Sequence, residues 1–142
     1  MGRFSNLSKG PKAAAILGAI FVVLMAVNMS RGDGGGSPSL PTYEVSQTSD
    51  SSFGAVKRYV IEIVLPETSA TADQRMAIAE REIESLKSGR PFNAATARFW
   101  DSRKAMRGSV AYGSITYAPG GDWGAAPDVE TGDYDTMEFS VD

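Results

Sequence analysis

The sequence contains no cysteine and no histidine among its 142 residues. Without cysteine the chain has no disulfide bond and no thiolate metal site, so a folded domain must be stabilised by packing alone. Without histidine it lacks the most frequent general base, the most frequent metal ligand and the usual switch near neutral pH. Any catalysis would depend on carboxylates, Lys, Tyr, Ser or a cofactor.

The chain also lacks an excess of basic charge. It has 14 Lys and Arg residues against 17 Asp and Glu residues, a formal net charge of −3, and no basic patch of the kind that binds nucleic acid. The glycine run at residues 34–36 lacks the flanking strand, helix and Lys-Ser/Thr pair of a phosphate-binding loop, so we interpret it as a spacer. We therefore predict no nucleic-acid partner, no cofactor and no bound metal.

Charge is absent altogether from residues 13–29, AAAILGAIFVVLMAVNM, where Asn28 is the only polar side chain. About 17 apolar residues are the lower limit for a helix that crosses a bilayer core. Arg3, Lys9 and Lys12 precede this segment, and positive charge is retained on the cytoplasmic side. The pattern predicts a single-pass transmembrane helix anchored in the lipid bilayer, with the N-terminus in the cytoplasm and the rest of the chain outside it.

A cleaved signal peptide is the alternative for this segment, because it also has a basic start and an apolar core. Residues 25–30 read MAVNMS, which offers no good Ala-x-Ala cleavage site. We favour the uncleaved anchor. Both interpretations place the remainder of the chain in the same compartment.

The composition predicts four segments, which are a cytoplasmic N-terminus at 1–12, the transmembrane helix at 13–29, a flexible linker at 30–52 and an extracytoplasmic α+β domain at 53–142. The linker is rich in Gly, Ser, Pro and Thr, which is typical of a tether. One alternative stays open, in which Leu40, Tyr43 and Val45 dock on the domain as a short edge segment.

The folded domain begins with a strand and a helix. Residues 56–65, VKRYVIEIVL, are rich in strand formers, and their apolar side contains Tyr59 and Ile61. Thr71 and Gln74 have the spacing of a capping box, which predicts a helix over residues 71–88. Gly89 is expected to end this helix as its C′ residue.

Three further strands follow, predicted at residues 94–100, 109–117 and 134–141. Polar residues 101–108 separate the first two, and residues 118–132, with two prolines and four glycines, indicate an irregular loop. Gly113 is expected to mark a bulge or a close backbone approach. The order predicts an α+β two-layer β-α-β-β-β sandwich, with one helix on a mostly antiparallel sheet.

Tyr117 and Trp123 flank a Pro-Gly turn in the most distinctive stretch of the domain, YAPGGDW. One interpretation is an aromatic binding surface for a sugar, a peptide or a lipid headgroup. The other, which we favour, is that Trp123 folds back to cover the core beside Trp100, because a small domain needs the area that its aromatic side chains bury.

Asp101 and Arg103 belong to a polar loop and are further speculative binding residues. Ser102 and Lys104 in the same loop resemble a hydrolase dyad only in composition, because nothing indicates the burial that an activated lysine requires. Seven acidic and no basic residues lie between Asp122 and Asp142. One interpretation is a calcium site around residues 128–135, because calcium binds clustered oxygen ligands. The spacing matches no EF-hand, and we favour a solvated acidic loop.

Residues 99–102 read FWDS, and residues 113–123 read GSITYAPGGDW. In these motifs, over about residues 59–141, the sequence resembles a domain-of-unknown-function family of bacterial and phage proteins. That family has an aromatic-Asp-Ser turn and a Gly-x-x-x-aromatic-Ala-Pro-x-Gly-x-Trp run, and residues 113–123 of this chain fill that run position by position. The family carries no established activity, so the resemblance implies a fold and no catalytic residue.

These observations predict a non-enzymatic, membrane-anchored extracytoplasmic domain for interaction or envelope structure, with an envelope or membrane protein as partner. Two alternatives stay open. One is a carboxylate-dependent enzyme acting on envelope glycans, which needs two acids facing each other across a cleft. The other is a small phage-encoded protein that modifies the host envelope, which rests only on the family's distribution.

Overall fold

The computed structural model describes residues 39–142. The predicted transmembrane helix at 13–29 lies outside these residues. Within the described part, no helix is both long and apolar enough to cross a membrane. The elements are, in chain order, β1 (Glu44–Asp50), β2 (Arg58–Val64), α1 (Ala72–Gly89), β3 (Ala94–Trp100), β4 (Gly113–Pro119) and β5 (Met137–Val141), with short 3₁₀ helices at Ala105–Arg107 and Trp123–Asp128.

The five strands form one sheet in the order β1-β2-β3-β4-β5. Strands β2 and β3 are parallel, since α1 connects them, and the other three pairings are antiparallel. Helix α1 packs on one face of this sheet, where its backbone comes nearest to β3 and β4. The predicted α+β class, with one helix on a mostly antiparallel sheet, is therefore confirmed for the described residues.

The main core lies between α1 and the sheet. Strand alternation places Tyr59, Ile61 and Ile63 of β2 on this side, as the sequence pattern predicted. Ile78 and Ile83 from α1 meet them, and both are almost completely buried. Burial of an aliphatic side chain of this size stabilises the fold by about 1.5–3 kcal/mol, so this seam supplies much of the packing that a chain without disulfides needs.

Helix α1 begins where the sequence predicted. The Thr71 hydroxyl accepts a hydrogen bond from the Gln74 amide at 3.1 Å, and the Gln74 side chain accepts one from the Thr71 amide at 2.9 Å. The capping box is confirmed. The predicted C′ glycine is wrong, because Gly89 is the last helical residue and Arg90 is the C-cap in an extended conformation. Pro91 explains this ending, since a residue before proline disfavours the helical region.

The last part of the predicted flexible linker at 30–52 is a strand of the sheet. Residues 44–50 pair antiparallel with β2, and the alternative of a docked edge segment is the one that the structure supports. Leu40, Tyr43 and Val45 all pack against the main core. The Tyr43 hydroxyl also donates a 2.6 Å hydrogen bond to Glu82 of α1, which fixes the start of β1 to the helix.

The last two strands lie slightly later in the chain than predicted. Strand β4 covers Gly113–Pro119 rather than residues 109–117, and β5 starts at Met137 rather than residue 134. A Cβ on Gly113 would meet only an Arg75 side-chain atom at 4.0 Å, so no close backbone approach requires that glycine. The loop predicted to be irregular contains the 3₁₀ helix Trp123–Asp128.

This long loop is fastened to the sheet by Asn93, which is buried just before β3. Its side-chain oxygen accepts hydrogen bonds from the Lys57 amide at 2.7 Å and from the Thr131 hydroxyl at 2.8 Å. Its side-chain nitrogen donates to the Val129 carbonyl at 2.8 Å. One buried amide thus holds the chain before β2, the start of β3 and the loop before β5 together.

Candidate functional site

Tyr117 lies on the helix side of the sheet, in a cluster of aromatic rings. Its ring centroid lies 4.6 Å from that of Phe139, 6.3 Å from that of Phe92 and 6.4 Å from that of Tyr134. The side chain is only partly buried. Tyr117 therefore contributes to the main core and also reaches the surface between α1 and β5.

Trp123 lies on the opposite side of the sheet from Tyr117. It starts the second 3₁₀ helix and packs against a small cluster of buried alanines, namely Ala94, Ala118 and Ala126. The Arg58 guanidinium lies 5.5 Å from its ring centroid, a cation–π arrangement. Because the two aromatic side chains occupy different clusters, they do not form the single binding surface that one of the two interpretations of the Pro-Gly turn requires.

Asp101 and Arg103 remain near the C-terminal end of β3, but they bond to different partners. Asp101 is exposed and accepts a 2.8 Å hydrogen bond from the Ser102 hydroxyl. Arg103 forms an ion pair with Glu44 of β1. Since β1 and β3 flank β2, this pair connects the loop after β3 to the edge of the sheet, and these residues do not converge on a pocket.

The acidic C-terminal region does not form a metal site in the described structure. Within residues 39–142, no group of three or more acidic side chains is arranged to hold a metal ion. Asp122 instead caps the second 3₁₀ helix by accepting a 2.7 Å hydrogen bond from the Gly124 amide. The alternative of a calcium site around residues 128–135 is therefore not supported.

An open groove lies between α1 and the last two strands, and we name it the α1–β5 groove. The helix contributes Ala77, Glu80, Arg81, Ile83, Glu84 and Lys87, and the sheet contributes Tyr117 and Phe139. Its volume is about 490 Å³, which is within the range of ligand pockets, but it is open along its length. An open groove of this kind suits an extended chain better than an enclosed small molecule.

Lys87 crosses the end of this groove. Its ammonium group lies 4.6 Å from the Tyr134 ring centroid and 5.5 Å from the Tyr117 ring centroid. It also contacts the Glu84 carboxylate at 3.0 Å, and this hydrogen bond is the main cause that raises the pKa of Lys87. The cation therefore lies over two rings of the aromatic cluster, a cation–π arrangement.

Strand β5 forms the border of the groove and one edge of the sheet. Asp142 and Ser114 exchange backbone hydrogen bonds at 3.1 and 3.5 Å, and the Gly120 amide donates to the Thr136 carbonyl. Thr136 and Asp142 lie directly before and after β5, and the register between them is unbroken. In an antiparallel ladder, Glu138 and Ser140 therefore also direct their backbone groups towards β4. By alternation, the N–H and C=O groups of Phe139 and Val141 point away from the sheet, and no other strand within residues 39–142 pairs with them.

The groove combines charged, aromatic and backbone groups. The groove offers two carboxylates, two cations and an aromatic wall next to free backbone donors and acceptors, which are the groups that recognise an extended peptide. Of the predicted site residues only Tyr117 lines it. The sequence analysis missed β5 as a binding element, although its alternation of Met137, Phe139 and Val141 was visible, because nothing local shows which strand lies at an edge.

Comparison of the chain with protein-family models, with curated proteins and with solved structures finds no match. The resemblance to a domain-of-unknown-function family thus stays a prediction.

Proposed function

We propose that this protein is a membrane-anchored, non-enzymatic interaction domain that binds a partner protein outside the cytoplasm. One observation carries the proposal, which is the unpaired edge of β5 beside the α1–β5 groove. Free backbone groups next to an apolar and aromatic wall are suited to binding a segment of another protein.

The remaining evidence is in the sequence. The uncharged residues 13–29, preceded by Arg3, Lys9 and Lys12, support a bilayer anchor with the following domain outside. The absence of histidine and cysteine from the chain favours binding over catalysis. An envelope or membrane protein is the expected partner, since an anchored domain meets such proteins at the membrane surface.

The location is tested by fusing a reporter after Asp142. A reporter that is active only outside the cytoplasm is expected to be active in cells. Activity of a cytoplasm-only reporter at the same position would overturn the proposed orientation.

Binding is tested in the same cells by site-specific photo-crosslinking. A photoreactive residue at Val141, whose side chain is 59% exposed beside the groove, is expected to form an adduct with one defined envelope protein. The control position is Val110, which is 91% exposed but lies before β4 and outside the groove. Equal adducts from both positions, or none from Val141, would argue against the β5 edge as the binding surface.

A further inference from the structure

The two edges of the sheet differ in how open they are to a new strand. Strand β1 has a register shift between Val45 and Gln47, and bulges at an edge discourage further pairing. The register of β5 against β4 runs without a shift from Met137 to Val141. A strand that joins this sheet would therefore join at β5.

The side chains on the helix side of β5 specify one half of such a strand. Met137 and Phe139 pack against the main core, and Val141 continues the same row with 59% of its side chain exposed. Side chains directly opposite each other on one face of a sheet contact each other. The incoming strand should thus present apolar residues on this face, where they would extend the wall of the α1–β5 groove.

The opposite side of β5 specifies the other half. Glu138 and Asp142 project from that face, with Ser140 between them. No basic residue occurs between Asp122 and Asp142, so the strand brings no cation of its own to neutralise these carboxylates. Residues of the incoming strand opposite Glu138 and Asp142 should be Lys or Arg, because opposite charges across a strand pair are favourable.

The same carboxylates disfavour a second copy of this chain as the occupant. Two copies could pair their β5 strands in antiparallel fashion through the outward backbone groups of Phe139 and Val141. In every such register, a Glu138 or Asp142 carboxylate of one copy lies opposite or diagonal to a Glu138 or Asp142 carboxylate of the other. Like charges directly opposite are destabilising. Charge complementarity therefore selects a different chain.

We propose that the β5 edge binds, by strand addition, an extended partner segment in which apolar and basic residues alternate. The apolar residues face the α1–β5 groove and the basic residues face Glu138 and Asp142. The backbone of the segment bonds to the N–H and C=O groups of Phe139 and Val141. The inference rests on the proposed function only in taking the occupant to be another protein.

The test uses the full chain, isotopically labelled, in nanodiscs of zwitterionic lipid. The probe is a short synthetic peptide of alternating lysine and valine, and the control peptide alternates glutamate and valine. Addition of the lysine peptide is expected to shift the amide signals of Phe139 and Val141 and to protect both amides from hydrogen exchange. The glutamate peptide is expected to leave them unchanged.

Two variants separate the backbone contact from the charge contact. Val141→Pro removes an outward N–H while keeping the ladder to β4, so it should weaken binding about tenfold. Val141→Ala is the matched control, which keeps the N–H and should retain most of the affinity. Glu138→Lys should weaken binding of the lysine peptide by up to about fivefold and favour the glutamate peptide instead.

Three results would overturn the proposal. The first is equal binding of both peptides, and the second is binding of the lysine peptide that Val141→Pro leaves unchanged. The third is self-association of the chain that Val141→Pro abolishes, because a second copy would then be the occupant of the β5 edge. The reporter experiment measures location independently of peptide binding. A wrong location and a wrong partner chemistry are therefore distinguishable.

Discussion

At the scale of single residues, the folded domain depends on buried polar side chains as well as on its apolar core. The buried Asn93 joins its own segment to two others that are far away in the sequence, and the partly buried Tyr43 joins the start of β1 to α1. A buried polar group costs free energy when its partner is removed. Such residues therefore control how the segments of this small domain stay together.

Asn93→Ala is expected to lower the free energy of unfolding by about 2–4 kcal/mol. The substitution leaves the Lys57 amide and the Val129 carbonyl without their side-chain partner, and a buried unsatisfied group costs about 1–3 kcal/mol. Urea denaturation measures the change.

Thr131→Val is the matched control, since it removes the hydroxyl that donates to Asn93 and to the exposed Ala55 carbonyl but leaves the Lys57 and Val129 bonds of Asn93 in place. It should cost about 0.5–1.5 kcal/mol. Equal effects of the two substitutions would show that Asn93 does not hold the three segments together.

The Tyr43 hydroxyl gives the domain a dependence on alkaline pH. Burial, and then the hydrogen bond to Glu82, raise the pKa of Tyr43 above its ordinary value of 10.0. Above pH 10 the folded state therefore binds more protons at this site than the unfolded state, so stability should fall as the pH rises further.

The prediction is checked by melting temperatures of the wild-type chain and of Tyr43→Phe between pH 8 and about pH 11. The wild-type value should decline more steeply above pH 10 than that of the variant, which cannot ionise at this position. Parallel curves would contradict a role for the Tyr43 hydroxyl.

At the scale of elements, the residues of the capping box, Thr71 and Gln74, determine where α1 begins. Thr71→Ala should destabilise the domain by about 0.5–2 kcal/mol, because the Gln74 amide loses its acceptor. Thr71→Ser keeps a hydroxyl at the same position and should recover most of the loss. A chemical-denaturation midpoint that is the same for all three chains would refute the cap's contribution.

The 3₁₀ helix Trp123–Asp128 depends instead on the sheet beneath it. Trp123→Ala should cost about 1–3 kcal/mol, less than the ~3–5 kcal/mol typical of a fully buried large aromatic, because this side chain is only partly buried. Iodide should quench its fluorescence partially in a Trp100→Phe background. A fully stable Trp123→Ala chain would show that the loop packs without this ring.

At the scale of the whole molecule, the charges before residues 13–29 are expected to set the orientation in the membrane. Replacing Arg3, Lys9 and Lys12 together by Gln should increase the fraction of chains whose C-terminal end is cytoplasmic. Paired reporters fused after Asp142 measure both fractions. The control variant carries Arg3→Lys, Lys9→Arg and Lys12→Arg. It keeps the positive charges and should keep the wild-type orientation.

Local sequence patterns were sufficient for several elements of this protein. The capping box at Thr71, the strand formers of β2 and the bounds of β3 all follow from neighbouring residues, and the structure confirms each one. These predictions succeed because helix capping and strand alternation depend on residues within a few positions of each other. The absence of disulfides is likewise fixed by composition.

Only the tertiary structure decided which strands are neighbours, and this decides the candidate site. The polar β1 is a strand because β2 offers it an edge, and β5 is a free edge because β1-β2-β3-β4-β5 is the order of the sheet. Tertiary packing also places Tyr117 and Trp123 in clusters on opposite faces of the sheet and gives Asn93 its three partners. Strand pairing joins residues far apart in the chain, so no local pattern of this sequence determines it.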